Sequence, residues 1–118
     1  MFRITGRTHE DGTHTERKPL PVLVQHGWSM DALVWADWNG EGGETVWPLK
    51  LVDRGYDVWM TNQRATRYSN VNRSDGDWPD EVRYDYSQAE MGIYDQPAFI
   101  EKILEVTGKP KLTYVGYS

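Results

Sequence analysis

Three short apolar runs constrain this chain more than any other feature. Pro21-Val22-Leu23-Val24-Gln25, Tyr56-Asp57-Val58-Trp59-Met60-Thr61 and Lys111-Leu112-Thr113-Tyr114-Val115 are rich in β-branched and aromatic residues, with glycine or proline at their boundaries. They read as buried strands. Helical spacing lies between them. Tyr94–Thr107 carries the stripe Ile100, Ile103, Leu104 and Thr107 at i, i+3, i+4 and i+7, with Glu101, Lys102 and Glu105 facing away. Asp95 is its predicted cap, Pro97 is tolerated in the first turn, and Gly108-Lys109-Pro110 ends it. Glu44–Arg54 places Val46, Leu49 (or Lys50) and Val52 near helical spacing, with Gly55 as the closing glycine. Strand, helix, strand, helix, strand predicts βαβ units and a mostly parallel sheet with flanking helices, an α/β fold. Phe2-Arg3-Ile4-Thr5 predicts a fourth strand, and Gly6–Lys18, centred on Asp11-Gly12, would then be a hairpin loop.

Composition removes several function classes. The 118 residues suit one modest domain, with no repeat and no internal boundary. Mean hydropathy is −0.73, yet six Trp and seven Tyr argue for an ordered protein. A net charge of −5 speaks against nucleic acid as a partner. No apolar run approaches the ~20 residues of a transmembrane segment. There is no cysteine, hence no disulfide scaffold and no thiolate metal site. His9 and His14 lie in a polar loop without partners at ligand spacing, so no metal is expected, and no cofactor. The acid-rich stretch 75–95 reads as a solvated loop. A calcium loop starting at Asp75 would need an acid at its fifth position and glycine at its sixth, where Pro79 and Asp80 stand. Met1–Arg7 lacks the apolar core of a signal peptide.

Chemistry in such sheets sits at the carboxyl ends of the strands. The first strand runs into Gln25-His26-Gly27-Trp28, and the third ends in Gly116-Tyr117-Ser118. A strand ending in Gly-x-Ser is the first half of a nucleophile elbow, where small flanking residues such as Gly116 let a sharp turn hold the serine hydroxyl clear of the sheet.

At this point the chain resembles the acid lipase family of the α/β-hydrolase superfamily, the lysosomal and gastric lipase type. Pro21-Val22-Leu23-Val24-Gln25-His26-Gly27 is similar to that family's strand and oxyanion loop. Gly55-Tyr56-Asp57-Val58-Trp59 with Asn62-Gln63-Arg64 is similar to its next strand and turn. Tyr84-Asp85-Tyr86-Ser87 and Glu90–Ala98 resemble the segment opening the following helix, and Lys111–Ser118 the strand carrying the nucleophile. Four positions depart. Arg64-Ala65-Thr66 stands where the family usually has Arg-Gly-Asn, and Ala65 in place of glycine predicts an adjusted turn; Trp28 stands where it has Leu, and Tyr117 where His commonly precedes the serine.

The resemblance implies residues 1–118 of an incomplete α/β-hydrolase domain, its N-terminal portion, from a serine ester hydrolase acting on lipid esters such as triacylglycerol or sterol esters. Ser118 would be the nucleophile, and the backbone N–H of Trp28 an oxyanion donor, with His26 and Gly27 supporting that loop. The triad order in this fold is Ser, then Asp or Glu, then His, so His26 lies upstream of where a base belongs and is a structural residue. With the acid and base falling beyond Ser118, the isolated chain is expected to be inactive. Family resemblance implies a secreted or lysosomal protein that meets a lipid interface, and Asn72-Arg73-Ser74 is a glycosylation sequon that agrees with that setting. Trp28, Trp35, Trp38 and Trp47 would surround the oxyanion loop, lining an acyl pocket or simply packing. The alternative is a non-catalytic, aromatic-rich binding module using exposed tryptophans as stacking platforms. A glycine two residues past Ser118, with a later Asp and His, would discriminate the hydrolase from the binding module.

Overall fold

The computed structural model describes residues 1–4, 6, 8–15, 20–36, 47–69, 71–72, 76–77 and 79–118. Strands β1 (Phe2–Ile4), β2 (Pro21–Gln25) and β3 (Asp57–Met60) come first, with a 3₁₀ turn at Ala32–Trp35 and helix α1 (Trp47–Asp53) between β2 and β3. A two-stranded ribbon, β4 (Val71–Asn72) and β5 (Gly76–Asp77), comes next, then the short helix α2 (Asp80–Arg83). Gln88–Glu90 (α3), a π-helical turn at Met91–Asp95 and α4 (Gln96–Thr107) lead to β6 (Thr113–Gly116).

The main sheet has the order β1-β3-β2-β6. β2 runs parallel to both β3 and β6, and β1 closes one edge antiparallel to β3. Every residue of β2 and β3 is buried, as expected for strands covered on both faces. Alternation divides the core. Val22, Val24, Val58 and Met60 face Val52 of α1 together with Ala32 and Trp35. Leu23 and Trp59 face the other way, onto Ile103 of α4. Leu23 and Ile103 are fully buried, and each contributes about 1.5–3 kcal/mol through the apolar surface it removes from water. One helix on each face of a mostly parallel sheet is the α/β layering that the strand and helix runs imply.

Several expectations need correction. β1 pairs with β3, not with β2, so the segment from Gly6 onward is no hairpin between adjacent strands; its described residues form a small local ribbon closed by a Thr8–His14 bridge. Arg3 gives the physical reason. Its guanidinium donates twice to Asp57 at 2.8 Å and lies 4.6 Å over the Trp59 ring, tying β1 to β3. Asp95 is not a cap. It lies in the α region with no capping hydrogen bond, inside a helical stretch that opens at Ser87. Ser87 and Glu90 form a capping box there, and the π-turn precedes Pro97, which supplies no N–H to an intrahelical bond. The acidic stretch is therefore only partly a solvated loop: Asp95 is half-buried and paired with Arg64. Gly108 closes α4 at φ 65°, its N–H bonding the Leu104 carbonyl at 2.8 Å. Residues 44–46 of the expected first helix, and Thr5 of the expected first strand, lie outside the described residues.

The turn after β3 carries its alanine in a conformation that suits glycine. Ala65 takes φ 61°, the left-handed conformation that a glycine would adopt without steric cost. Ala65→Gly is expected to raise stability by about 1 kcal/mol, read as a higher urea midpoint at constant slope. An unchanged or lower midpoint would contradict the strain assigned to this turn.

Candidate active site

Parallel pairing carries two loops to the same edge of the sheet. Gln25 of β2 is opposite Gly116 of β6, and one residue on, the Tyr117 N–H donates to the Gln25 carbonyl at 3.1 Å. His26-Gly27-Trp28 consequently lies beside Tyr117 and Ser118. The approach is close. A Cβ on Gly27 would stand 2.9 Å from Tyr117 Cδ1 and 3.1 Å from Ser118 Cβ, so a larger residue would have to displace the Tyr117 ring and press on Ser118. At Gly116 a Cβ would meet the exposed Tyr114 ring at 3.0 Å, an obstacle that a side-chain shift relieves. Ser118 follows directly on Tyr117 with φ 53°, a positive value that serine seldom adopts. A cavity of about 340 Å³ opens beside it, lined among others by His26, Trp28, Gln88, Met91 and Gln96.

Trp28 is half exposed. Among the described residues no acceptor is paired with its backbone N–H, which leaves a donor free at the cavity. The carbonyl of the same peptide unit, Gly27 C=O, is occupied twice: it accepts from Met30 N–H at 3.2 Å and from His26 Nδ1 at 2.8 Å. Because N–H and C=O of a trans peptide point in opposite directions, holding the Gly27 carbonyl also aims the Trp28 N–H.

His26 is buried and both ring nitrogens are engaged by backbone. A carbonyl can only accept, so Nδ1 carries the proton toward Gly27; Nε2 then accepts the Gln63 N–H at 3.2 Å. No lone pair remains to take a proton from Ser118. Burial lowers the His26 pKa below the usual histidine value, opposed by the Gly27 hydrogen bond and by Asp31. The ring is held neutral, in a supporting position between the loops after β2 and β3.

Those loops are tied further. Asn62, buried, accepts the Ala32 N–H at 2.9 Å, and Asp31 caps the 3₁₀ turn through Leu33 N–H while pairing with Arg67 at 2.8 Å. Arg64 grips Asp95 through Nε at 2.9 Å and Nη2 at 2.7 Å, and its backbone N–H donates to the same carboxylate. This pair fixes the start of α4 over the strand ends. A second cavity of about 680 Å³ lies between the loops after β2 and β3 and the residues Tyr84, Tyr86 and Met91.

Of the tryptophans expected around the oxyanion loop, Trp28 lines both cavities. Trp35 is buried, with its ring edge-on to Trp47 at 5.3 Å and to Tyr117 at 6.1 Å, and so packs. Trp47 is partly exposed, Trp59 is buried, and Trp38 lies outside the described residues. His9 and His14 each bond a threonine of their own loop, Thr15 and Thr8. Asn72 ends β4, while Arg73 and Ser74 of its sequon lie outside the described residues. Sequence reasoning missed the roles of Gln25, Gln63 and Gln96. The usable signal was Gln25 itself, a polar residue closing an otherwise apolar buried strand.

A mostly parallel sheet with a helix on each face, and a serine just past the carboxyl end of one strand, is the arrangement of one class of hydrolases, and residues 21–118 match the alpha/beta hydrolase fold family, to which this chain belongs. It is 42% identical over 118 residues to Lipase 1 of Drosophila melanogaster, covering 94% of this chain and 26% of that protein. It is 34% identical over 111 residues to the human lysosomal acid lipase/cholesteryl ester hydrolase, covering 93% of this chain and 27% of that protein. Human lipase member N is 36% identical over 116 residues, covering 96% and 27%. The resemblance to the acid lipases holds across most of the chain, which spans about a quarter of the length of these relatives.

His26 links the site to pH. An unfolded histidine gains its proton near pH 6.5, whereas the folded chain keeps His26 neutral to lower pH. Between those two values the unfolded state binds more protons, so stability falls as pH drops through about 6.5 and levels off below the folded-state pKa. His26→Gln is expected to be less stable at neutral pH but to lose less stability than wild type between about pH 7 and pH 5.5. Parallel stability curves for the two proteins would contradict the buried neutral ring.

Proposed function

We propose that these residues form the nucleophile-bearing portion of a serine ester hydrolase acting on lipid esters, of the triacylglycerol or sterol ester type. The close apposition of Gly27-Trp28 and Ser118 carries this reading, because it sets a free backbone donor beside the serine that follows β6. Ser118 Oγ attacks the ester carbonyl carbon while a base takes its proton. The carbonyl oxygen becomes an oxyanion and accepts hydrogen bonds from Trp28 N–H and from the N–H of the residue after the serine. Collapse breaks the bond to the alcohol, which leaves with the proton, and water releases the acid from the acyl-serine.

His26 has no free nitrogen for the base role, and the fold's triad order of Ser, then Asp or Glu, then His puts the acid and base after Ser118, so on our reading residues 1–118 alone are inactive. They form part of one catalytic domain. The lipid substrate class is supported by relatives named as lipases, one of them also as a cholesteryl ester hydrolase. A secreted or lysosomal setting and contact with a lipid–water interface are proposed on the same basis, together with the Asn72 sequon. Among the described residues no helix is long and apolar enough to cross a membrane.

In the complete protein, Ser118→Ala is expected to abolish hydrolysis of a soluble nitrophenyl ester while leaving the melting temperature nearly unchanged, since a nucleophile elbow holds the hydroxyl clear of the sheet. Activity within about tenfold of wild type would overturn the nucleophile assignment.

A further inference from the structure

Gly27 poses a problem that its neighbours solve. The close contact with Tyr117 and Ser118 favours glycine there, and glycine leaves both of its backbone dihedrals free to turn. An oxyanion donor is useful only when its direction is set before the reaction begins. Two consecutive side chains hold the two peptide units that flank Gly27. His26 Nδ1 donates to the Gly27 carbonyl at 2.8 Å, which fixes the unit ending in Trp28 N–H. Gln25 Nε2 donates to the His26 carbonyl at 3.0 Å, which fixes the unit before it. With both planes held, neither dihedral of Gly27 can drift.

Gln25 is itself immobilised. The side chain is buried, and its amide orientation is dictated by chemistry: the His26 carbonyl only accepts, so nitrogen must face it. The amide oxygen accepts Thr61 Oγ1 from the end of β3 and Gln96 Nε2, at 3.0 Å, from the first turn of α4. One side chain therefore joins β2, β3 and α4 to the loop that carries the donor.

We propose that Gln25 is a positioning residue of the reaction, aiming the Trp28 N–H at the developing oxyanion through the His26 and Gly27 carbonyls. The inference rests on the ester hydrolase reading. Gln25 touches no reacting atom. Its loss would weaken a contact that matters most in the transition state, lowering kcat while leaving KM in place.

The test uses the complete enzyme and a soluble nitrophenyl ester. Gln25→Glu keeps the shape and the acceptor for Thr61 and Gln96 but, when ionised, cannot donate to the His26 carbonyl. Its kcat is expected to fall about tenfold or more at neutral pH, with KM within about twofold. The ratio of variant to wild-type kcat is expected to rise as the pH falls, because a protonated carboxyl donates again; loss of activity through loss of structure would instead show as a melting temperature that falls and recovers in step with kcat. A kcat within about twofold of wild type throughout, or kcat and KM degraded together with no recovery, would overturn the proposal. Should Gln25→Glu fail to fold, Gln96→Met removes only the bond that steadies the Gln25 amide. A drop of severalfold in kcat at constant KM supports the proposal, and an unchanged kcat in folded protein overturns it. Ser118→Ala separates the two readings. If it is dead while Gln25→Glu is unaffected, only the positioning role fails; if it stays active, the site itself has been misassigned.

Discussion

Everything at the site depends on the parallel pairing of Pro21–Gln25 with Thr113–Gly116. Parallel strands end on the same side, so the loop after one and the turn after the other share an edge of the sheet. The pairing continues one bond past the strands, from Tyr117 N–H to Gln25 C=O, and brings Gly27 to within the reach of a single methyl group of Ser118. A shift of register by one residue would turn Leu23 away from Ile103 and bury the wrong face of β2. The division of the core between Val52 on one face and Ile103 on the other thus enforces the alignment that places the site.

Charged pairs complete what the core begins. Arg3 with Asp57 holds the antiparallel edge strand, and Arg64 with Asp95 holds the helix start above the strand ends. The second pair also uses the Arg64 backbone N–H, so it sets the path of the turn as well as the guanidinium. That turn includes the left-handed Ala65, and its Gln63 N–H reaches back to His26 Nε2. Local strain in one loop and a buried neutral imidazole in the next therefore belong to the same support. Buried polar groups of this kind are stable only when their hydrogen bonds are made, and at Gln25 and His26 they are made largely with backbone and neighbouring side chains.

Strand positions were legible because β2 and β3 are buried on both faces and read as unbroken apolar runs. The helix stripe ending in Gly108 was legible because its spacing and terminator agree. What escaped was decided at long range. Pairing of β1 with β3 depends on an ion pair 54 residues apart, which no local pattern announces. Asp95 has the side chain of a cap, but a partner 31 residues upstream claims its carboxylate while Ser87 opens the helix instead. Ala65 is held at a positive φ that its side chain disfavours, which the residue type does not announce. Ser118, Gly27 and Trp28 were legible as candidates from the two strand ends. Gln25 and Gln96, 71 residues apart, became visible only once their side chains were seen to meet.

The most direct measurement of the central claim is a structure of the complete enzyme inactivated by an alkyl phosphonate, whose phosphoryl oxygen mimics the oxyanion. The account predicts phosphorus bonded to Ser118 Oγ, with that oxygen about 2.7–3.1 Å from the Trp28 backbone nitrogen. The Gln25, His26 and Gly27 hydrogen bonds should remain as they are without the inhibitor. An adduct on another residue, or an oxygen turned away from Trp28, would contradict it.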